Sequence, residues 1–297
     1  MKTQLIITAD DFGFSKERNI GIMEAFSNGA VQSASLLLNC TGSTDAIERA
    51  KKTSITLGLH LNLTEGTPVG QDEYKTLTSS GIFRGRQGMR DSLTKGEIQI
   101  SEIENEIDSQ IKRFIELVGE KPAYVDGHQH IHLHPVVSPI FAAALKNHGV
   151  SVTRMPVEVN LKAKTWLGKE AFDLLSMFVE EARSSAGVLQ KYNIRTSECF
   201  TGLSTMGANM TAERLQSLIL EAFKTVEENL SVETVTCELM THPGYPTPKE
   251  YGGFSWGTDD FGHSDDRIHE IKVLSSDTMI NFYKAHKIVL VSHRELY

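Results

Sequence analysis

The sequence predicts an α/β fold in which alternating strands and helices form a parallel sheet in a TIM-like barrel, complete or irregular. Three observations favour it: short apolar runs that end in polar residues, amphipathic stretches between them, and about seven repetitions of this pair. A doubly wound open sheet is the alternative. In both architectures, ligands bind where the strands end.

The strands are predicted from apolar runs and the helices from apolar residues at helical spacing. Predicted strands cover residues 5–9, 31–38, 55–63, 123–126, 150–154, 233–240 and 287–291. Predicted helices are one that follows a Ser15 N-cap, then 45–52, 100–118, 135–148, 170–185, 212–229 and 276–286. Residues 65–93 are rich in Gly, Thr, Ser and Arg without clear periodicity, which predicts a long loop near the site.

Length and composition indicate a globular protein. The chain has 297 residues, and α/β barrels of this size commonly form one domain, so we expect a single domain over residues 1–297. A net charge of −8 argues against nucleic acid or an anionic membrane as the main partner and favours a small substrate. The separated Cys40, Cys199 and Cys237 indicate a reducing cytoplasm. The sequence leaves the oligomeric state open, a homo-oligomer included.

Polar side chains follow several of the predicted strands. Asp10 and Asp11 follow the first, His60 lies within or just past the third, and His242 follows a late strand, between Thr241 and Pro243. Because parallel strands end at one edge of a sheet, we expect these residues to meet there. Such a coincidence at strand ends indicates a functional site.

The two adjacent carboxylates suit a divided role. One can bind a divalent cation while the other accepts a proton from a water that the cation has made more acidic, although a helix N-cap beside a solvated acid is the alternative. Adjacent residues of a strand point in opposite directions, so the chain must turn here, and Phe12-Gly13 is compatible with a turn. His60 shares one face of its strand with Gly58 and Asn62.

A histidine cluster runs from Asp126 to His132. If the backbone is extended, Asp126, His128, His130 and His132 all point in one direction, and imidazole and carboxylate are common metal ligands. Spacing alone does not select one histidine, and His134 lies close enough to be a further candidate. An exposed polar edge is the non-functional alternative.

Two further residues have candidate roles beside such a centre. His242 is suited to act as a general acid, because its unperturbed pKa lies near neutrality. Arg154 ends its own predicted strand and could orient a carboxylate by a bidentate contact, although a surface salt bridge is an equal alternative.

The motifs together resemble the YdjC-like carbohydrate deacetylases, a family that includes chitooligosaccharide deacetylase. The resemblance spans nearly the whole chain and rests on residues 8–13 (TADDFG), 58–64 (GLHLNLT), 126–132 (DGHQHIH) and 241–245 (THPGY). Residues 267–276 are also similar to the C-terminal segment of the family.

The resemblance implies an irregular (β/α) barrel of the polysaccharide deacetylase type. It implies Asp11, His60 and His128 as metal ligands, Asp10 as the base and His242 as the acid. Magnesium is the metal that the family implies, although two imidazoles also suit Zn²⁺. The paired His-x-x-x-His of the broader polysaccharide deacetylases is missing at the corresponding place.

The implied activity is metal-dependent removal of an acetyl group from an N-acetylated mono- or oligosaccharide. Tyr245, with Phe254 and Trp256, could stack on the sugar, although aromatic residues more commonly pack in the core. A phosphosugar or glycosidic-bond hydrolase and a non-catalytic sugar-binding relative are the alternatives. Two histidines and one aspartate also form the ligand set of iron oxygenases. The β/α alternation disfavours that class, since those enzymes usually have all-β folds.

Overall fold

The structure is a computed structural model that describes residues 2–71, 73–229, 232–248 and 260–296. The strands in these ranges are β1 (Lys2–Phe12), β2 (Ser33–Leu36), β3 (Thr56–Leu61), β4 (Thr78–Ser79), β5 (Ile82–Phe83), β6 (Val125–Gly127), β7 (Cys199–Thr201), β8 (Thr234–Thr241) and β9 (Val289–Leu290). The helices are α1 (Lys16–Ser27), α2 (Ser43–Ala50), α3 (Gly85–Thr94), α4 (Ile100–Val118), α5 (Val137–Asn147), α6 (Lys169–Lys191), α7 (Ala212–Asn229), α8 (Asp266–Leu274) and α9 (Asp277–Ala285).

Seven strands form one curled, parallel sheet in the order β6-β3-β2-β1-β8-β7, and β9 pairs with the first half of β1. Since every pairing is parallel, all of these strands end at one edge. β1 is buried along nearly its whole length because it has strands on both sides, which explains its continuous apolar run. The predicted mixed α/β class is confirmed, whereas a closed TIM-like barrel is not established.

The segment 153–158 contacts both edge strands of the sheet, β6 and β7, through isolated bridges. Thr153 forms a single parallel bridge to Val125 of β6, and Glu158 forms one to Phe200 of β7. The predicted strand over residues 150–154 is therefore wrong as a continuous strand, because its backbone pairs only at single positions. β7 and α8 were missed, since their apolar patterns are short.

Local signals predicted several elements well. α4 has the predicted bounds, and its buried stripe includes Ile103, Ile107 and Ile111. Ser15 caps α1, and its hydroxyl accepts a hydrogen bond from the Arg18 N–H at 3.1 Å. The segment 65–93 is not one long loop, because it contains the β4-β5 hairpin and α3. Across the described ranges, no helix is both long and apolar enough to cross a membrane.

The sheet packs tightly against one aromatic ring at Gly58 of β3. A Cβ added at Gly58 would lie only 2.3 Å from Cζ of Tyr124, a buried side chain that stacks on His293 with ring centroids 3.5 Å apart. Only a residue without a side chain fits there. The glycine thus makes room for the Tyr124 ring, on which His293 stacks.

We predict that Gly58→Ala lowers the free energy of unfolding by about 1–3 kcal/mol, because the added methyl forces Tyr124 to shift. The matched control is Gly187→Ala in α6, where an added Cβ meets no atom within 4 Å. That variant should be neutral or more stable by up to about 1 kcal/mol, since alanine favours a helix. Urea unfolding measures both, and equal stability of the two variants would contradict the packing argument.

Candidate metal centre

The structure gathers the predicted residues at the carboxyl edge of the sheet. Asp10 and Asp11 end β1, His60 lies near the end of β3, Asp126 lies in β6, and His242 directly follows β8. All five are buried. The turn expected at the paired carboxylates is present, because Asp11 has φ +63° and the β1-β2 register shifts beside it.

Three side chains place ligand atoms around one point. Asp11 Oδ1 lies 3.2 Å from His128 Nδ1 and 3.6 Å from His60 Nε2. Each of the three residues offers one ligand atom within 4.8 Å of the other two, so Asp11, His60 and His128 form a group able to hold a metal ion. One carboxylate and two imidazoles suit a divalent ion such as Zn²⁺.

The outward nitrogen of each of these histidines contacts a second carboxylate. His60 Nδ1 lies 2.6 Å from Asp126 Oδ1, and His128 Nε2 lies 2.7 Å from Glu65 Oε2. Metal-binding histidines usually donate their other N–H to such a partner, which fixes the ring and leaves the inward nitrogen free to ligate. The donor set therefore fits a metal ion.

The electrostatics of the cluster also favour positive charge. Burial disfavours the charged form of His128, but its hydrogen bonds to Asp11 and Glu65 outweigh this and raise its pKa to about 10. Burial opposes ionisation of Asp11, yet the nearby His128, His242 and His60 hold the pKa of this carboxyl well below its usual range. A bound cation would likewise stabilise the negative charge of the Asp11 carboxylate.

Glu65 was not recognised from the sequence, although it directly follows the His60 motif. Asn62 holds its backbone, because Asn62 Oδ1 accepts from the Glu65 N–H at 3.1 Å and Asn62 Nδ2 donates to its carbonyl at 2.8 Å. Gln110 of α4 in turn bonds the backbone of Asn62 at both N–H and carbonyl. The available signal was Asn62, which shares the strand face of His60.

The histidine cluster is not extended, so its prediction of a shared direction is wrong. Residues 128–133 form a 3₁₀ turn, in which Gln129 and His130 have φ of +53° and +55°. This left-handed backbone ends the strand alternation after Gly127. Arg90 of α3 supports the turn, because its Nη2 donates to the Gln129 carbonyl at 2.8 Å.

The turn sends the four histidines to different surroundings. Only His128 joins Asp11. His130 lines the neighbouring cavity, His132 is buried with Nε2 3.2 Å from the Arg154 carbonyl, and His134 Nδ1 accepts from the backbone of residue 136. Burial lowers the pKa of His130 well below its usual range and that of His132 to about 4, so both are neutral at pH 7.

Arg154 is fully buried, which contradicts the surface salt bridge alternative. Its guanidinium contacts both oxygens of Asp10, at 2.6 and 2.7 Å. The same group lies 3.0 Å from Asp126 Oδ2 and 2.8 Å from Glu238 Oε1. Arg154 thus orients carboxylates and is not among the residues that line the cavity.

Asp10 and His242 lie next to each other beside the ligand cluster. His242 Nε2 is 3.9 Å from Asp10 Oδ2. Burial raises the pKa of Asp10 to about 6, although Arg154 acts to lower it. Burial also holds the pKa of His242 well below its usual range. A carboxylate and a neutral imidazole therefore flank the cluster, and the near-neutral pKa that the sequence predicts for His242 is not found.

A cavity of about 180 Å³ opens directly onto the cluster. Its polar wall includes Asp11, His60, His128 and the exposed Arg86 of α3. Its apolar wall consists of Leu174, Leu175, Phe178, Leu203, Met206 and Met240. One wall can bind polar groups of a small molecule while the other excludes water.

Tyr245 does not line this cavity, so the structure does not support its prediction as a substrate contact. Its hydroxyl instead bonds the carboxylate of Glu24 in α1. Phe254 and Trp256 lie outside the described residues. Of the three aromatic candidates, the described part of the chain therefore includes only Tyr245, which lies away from the cavity.

The fold and the site define an α/β protein with a His-His-Asp cluster, supported by outer carboxylates, at the ends of parallel strands. The family profile described as YdjC-like protein matches residues 4–285. The chain therefore belongs to the YdjC-like family, as the motifs predicted.

Known proteins are similar to this chain over half of its length or more. A carbohydrate deacetylase of Mus musculus is 39% identical over 281 residues, covering 94% of this chain and 90% of the relative. A carbohydrate deacetylase of Danio rerio is 36% identical over 309 residues, with 99% and 98% covered. A chitooligosaccharide deacetylase of Escherichia fergusonii is 37% identical over 157 residues, which covers 51% of this chain and 59% of that protein.

A solved structure has the same fold. This protein from Enterococcus faecalis V583, named for cellobiose-phosphate cleavage, superposes with a TM-score of 0.72 over 100% of this chain and 99% of its own. Sequence identity is 20%, so the likeness concerns the fold alone.

We predict that Glu65→Gln weakens binding of Zn²⁺ about 10- to 100-fold, because the amide holds the His128 ring less firmly and makes it a poorer ligand. Glu73→Gln, an exposed change in the same segment 65–93, is the control and should leave the affinity unchanged. Isothermal titration of metal-stripped protein measures both. Equal affinity of the Glu65 variant and the parent would contradict the supporting role of this carboxylate.

Proposed function

We propose that this chain is a metal-dependent hydrolase that removes the acetyl group from an N-acetylated mono- or oligosaccharide and releases acetate. One observation carries the proposal: the Asp11, His60 and His128 cluster lies beside a base and an acid candidate, Asp10 and His242, in one small cavity. Relatives named carbohydrate deacetylase, similar over nearly the whole chain, support the same reaction.

Asp11, His60 and His128 would hold one divalent ion. Family resemblance favours Mg²⁺, whereas two imidazole ligands suit Zn²⁺ better, because Mg²⁺ prefers oxygen ligands. When bound, the ion supplies a Lewis acid for the acetamide carbonyl and makes a nearby water more acidic. Asp126 and Glu65 hold the two imidazoles in place.

The protein's own residues then divide the proton transfers. Asp10 accepts a proton from the water that attacks the carbonyl carbon, and its raised pKa of about 6 makes it a stronger base than an exposed carboxylate. Arg154 fixes both oxygens of Asp10. His242, which is neutral at the start, takes up the water's proton from Asp10, whose Oδ2 lies 3.9 Å from His242 Nε2. It passes this proton to the amine nitrogen as the C–N bond breaks, so that acetate and the free amino sugar leave.

We extend the proposal to the whole molecule. The bridges of Thr153 and Glu158 to the two edge strands support an irregular barrel, and one domain would comprise residues 1–297. Cys40, Cys199 and Cys237 are all free, although Cys199 of β7 lies opposite Cys237 of β8, and free thiols support a cytoplasmic location. The segment 65–93 would belong to the site, since it contributes Glu65 and Arg86.

Acetate release tests the function directly. Metal-stripped protein is incubated with N,N'-diacetylchitobiose and related acetylated sugars while one divalent ion at a time is restored. Acetate should appear only with an ion that the cluster binds. If no sugar of the panel releases acetate with any ion, the proposal is overturned and a phosphosugar hydrolase becomes the leading alternative.

We predict that Asp10→Asn lowers kcat for acetate release about 10²- to 10⁴-fold, because the amide cannot accept the proton of the attacking water. Metal affinity should persist, since Asp10 is not in the proposed ligand set. Asp277→Asn, at an exposed position in α9, is the control. Full activity of the Asp10 variant would remove this residue as the base.

A further inference from the structure

We infer that Glu270 of α8 is a positioning residue that fixes His242 for proton transfer. The inference rests on the proposed function, because it concerns the acid of that reaction. Glu270 is fully buried, lies outside the cavity wall, and directs both carboxylate oxygens at backbone groups of the site. It would act through His242 and not on the substrate.

The sheet does not itself hold His242. The pairing of β1 with β8 ends at Ala9 and Thr241, one residue before the imidazole. Beyond that point Glu270 holds the backbone, because its Oε2 accepts a hydrogen bond from the His242 N–H at 2.5 Å. The position of the acid thus depends on α8 and not on the strand ladder.

Arg267, one turn earlier in α8, binds the peptide group on the other side of His242. Its Nη1 donates to the His242 carbonyl at 3.2 Å, and its own carbonyl accepts from the Gly244 N–H at 3.3 Å. Arg267 Nη2 also lies 3.4 Å from Glu270 Oε1. The backbone on both sides of His242 is therefore anchored to one buried ion pair.

The second oxygen of Glu270 reaches a different part of the site. Oε1 accepts from the Gly207 N–H at 2.7 Å, and Gly207 follows Met206 of the apolar cavity wall. Gly207 has φ +60°, and an added Cβ would lie 2.8 Å from Asp266 Oδ2, so only glycine allows this approach to α8. One carboxylate thereby sets the distance between His242 and the apolar wall.

The desolvation penalty of the buried Glu270 carboxylate favours a positioning role over a purely stabilising one. A buried carboxylate carries a desolvation penalty that a neutral acceptor would avoid, so it gives little net stability for two amide hydrogen bonds. What it does supply is two short, charge-assisted contacts that fix two loops relative to each other. A displacement of about 1 Å at a reacting group can cost about 100-fold in rate.

Glu270→Gln tests the inference, because the amide keeps one acceptor oxygen and loses the other. We expect kcat for acetate release from an N-acetylated sugar to fall about 10- to 100-fold, with KM and metal affinity unchanged. The matched control is Glu102→Gln, whose carboxylate accepts backbone amides of residues 75–77 away from the cavity. The control should lose stability but keep kcat.

A change of leaving group separates positioning from general damage. 4-Nitrophenyl acetate releases a phenolate that needs no proton, so Glu270→Gln and His242→Ala should both retain its metal-dependent hydrolysis while losing amide hydrolysis. The double variant should be no slower on the amide than His242→Ala alone, since both changes remove one function.

Three results would overturn the inference: wild-type kcat in Glu270→Gln, equal losses on amide and ester, or additive losses in the double variant. Each of them leaves the proposed function intact if the parent protein releases acetate. A parent that releases no acetate from any N-acetylated sugar would instead overturn both, so the two failures are distinguishable.

Discussion

Three buried carboxylates from three strands converge on the guanidinium of Arg154. Asp10, Asp126 and Glu238 all lie within 3.0 Å of it, and all four side chains are removed from water. Without the cation, these acids would repel one another and pay the cost of burial unpaired, which typically amounts to about 3–5 kcal/mol when one partner of a buried pair is lost. The burial of three carboxylates together at the strand ends depends on this contact.

The Arg154 network separates the carboxylates by role. Asp10 is fixed by the guanidinium, Asp126 is shared between it and His60, and Asp11 is turned away from it toward His128 by its left-handed backbone. Asp10 is therefore held where it can accept a proton, while Asp11 belongs to the proposed ligand set. Asp10 and Asp11, although adjacent in sequence, thus face different partners because the chain turns between them.

The fold was predictable from the sequence where the signal is local, since the apolar stripe of α4 and the cap at Ser15 depend only on nearby residues. Clustering of the site was predictable because parallel strands end together. The direction of each histidine was not, because the left-handed turn at Gln129 depends on the distant Arg90. Glu65 was missed for a similar reason, since only the tertiary fold brings it to its histidine.

Simultaneous measurement of metal binding and acetate release in a His128→Ala variant tests the central claim most directly. We expect both to be lost together, whereas His286→Ala, at an exposed position just after α9, should retain both. Both variants should keep the far-UV circular dichroism of the parent. A folded His128 variant that still binds the ion, or that still releases acetate, would contradict the assignment of this centre.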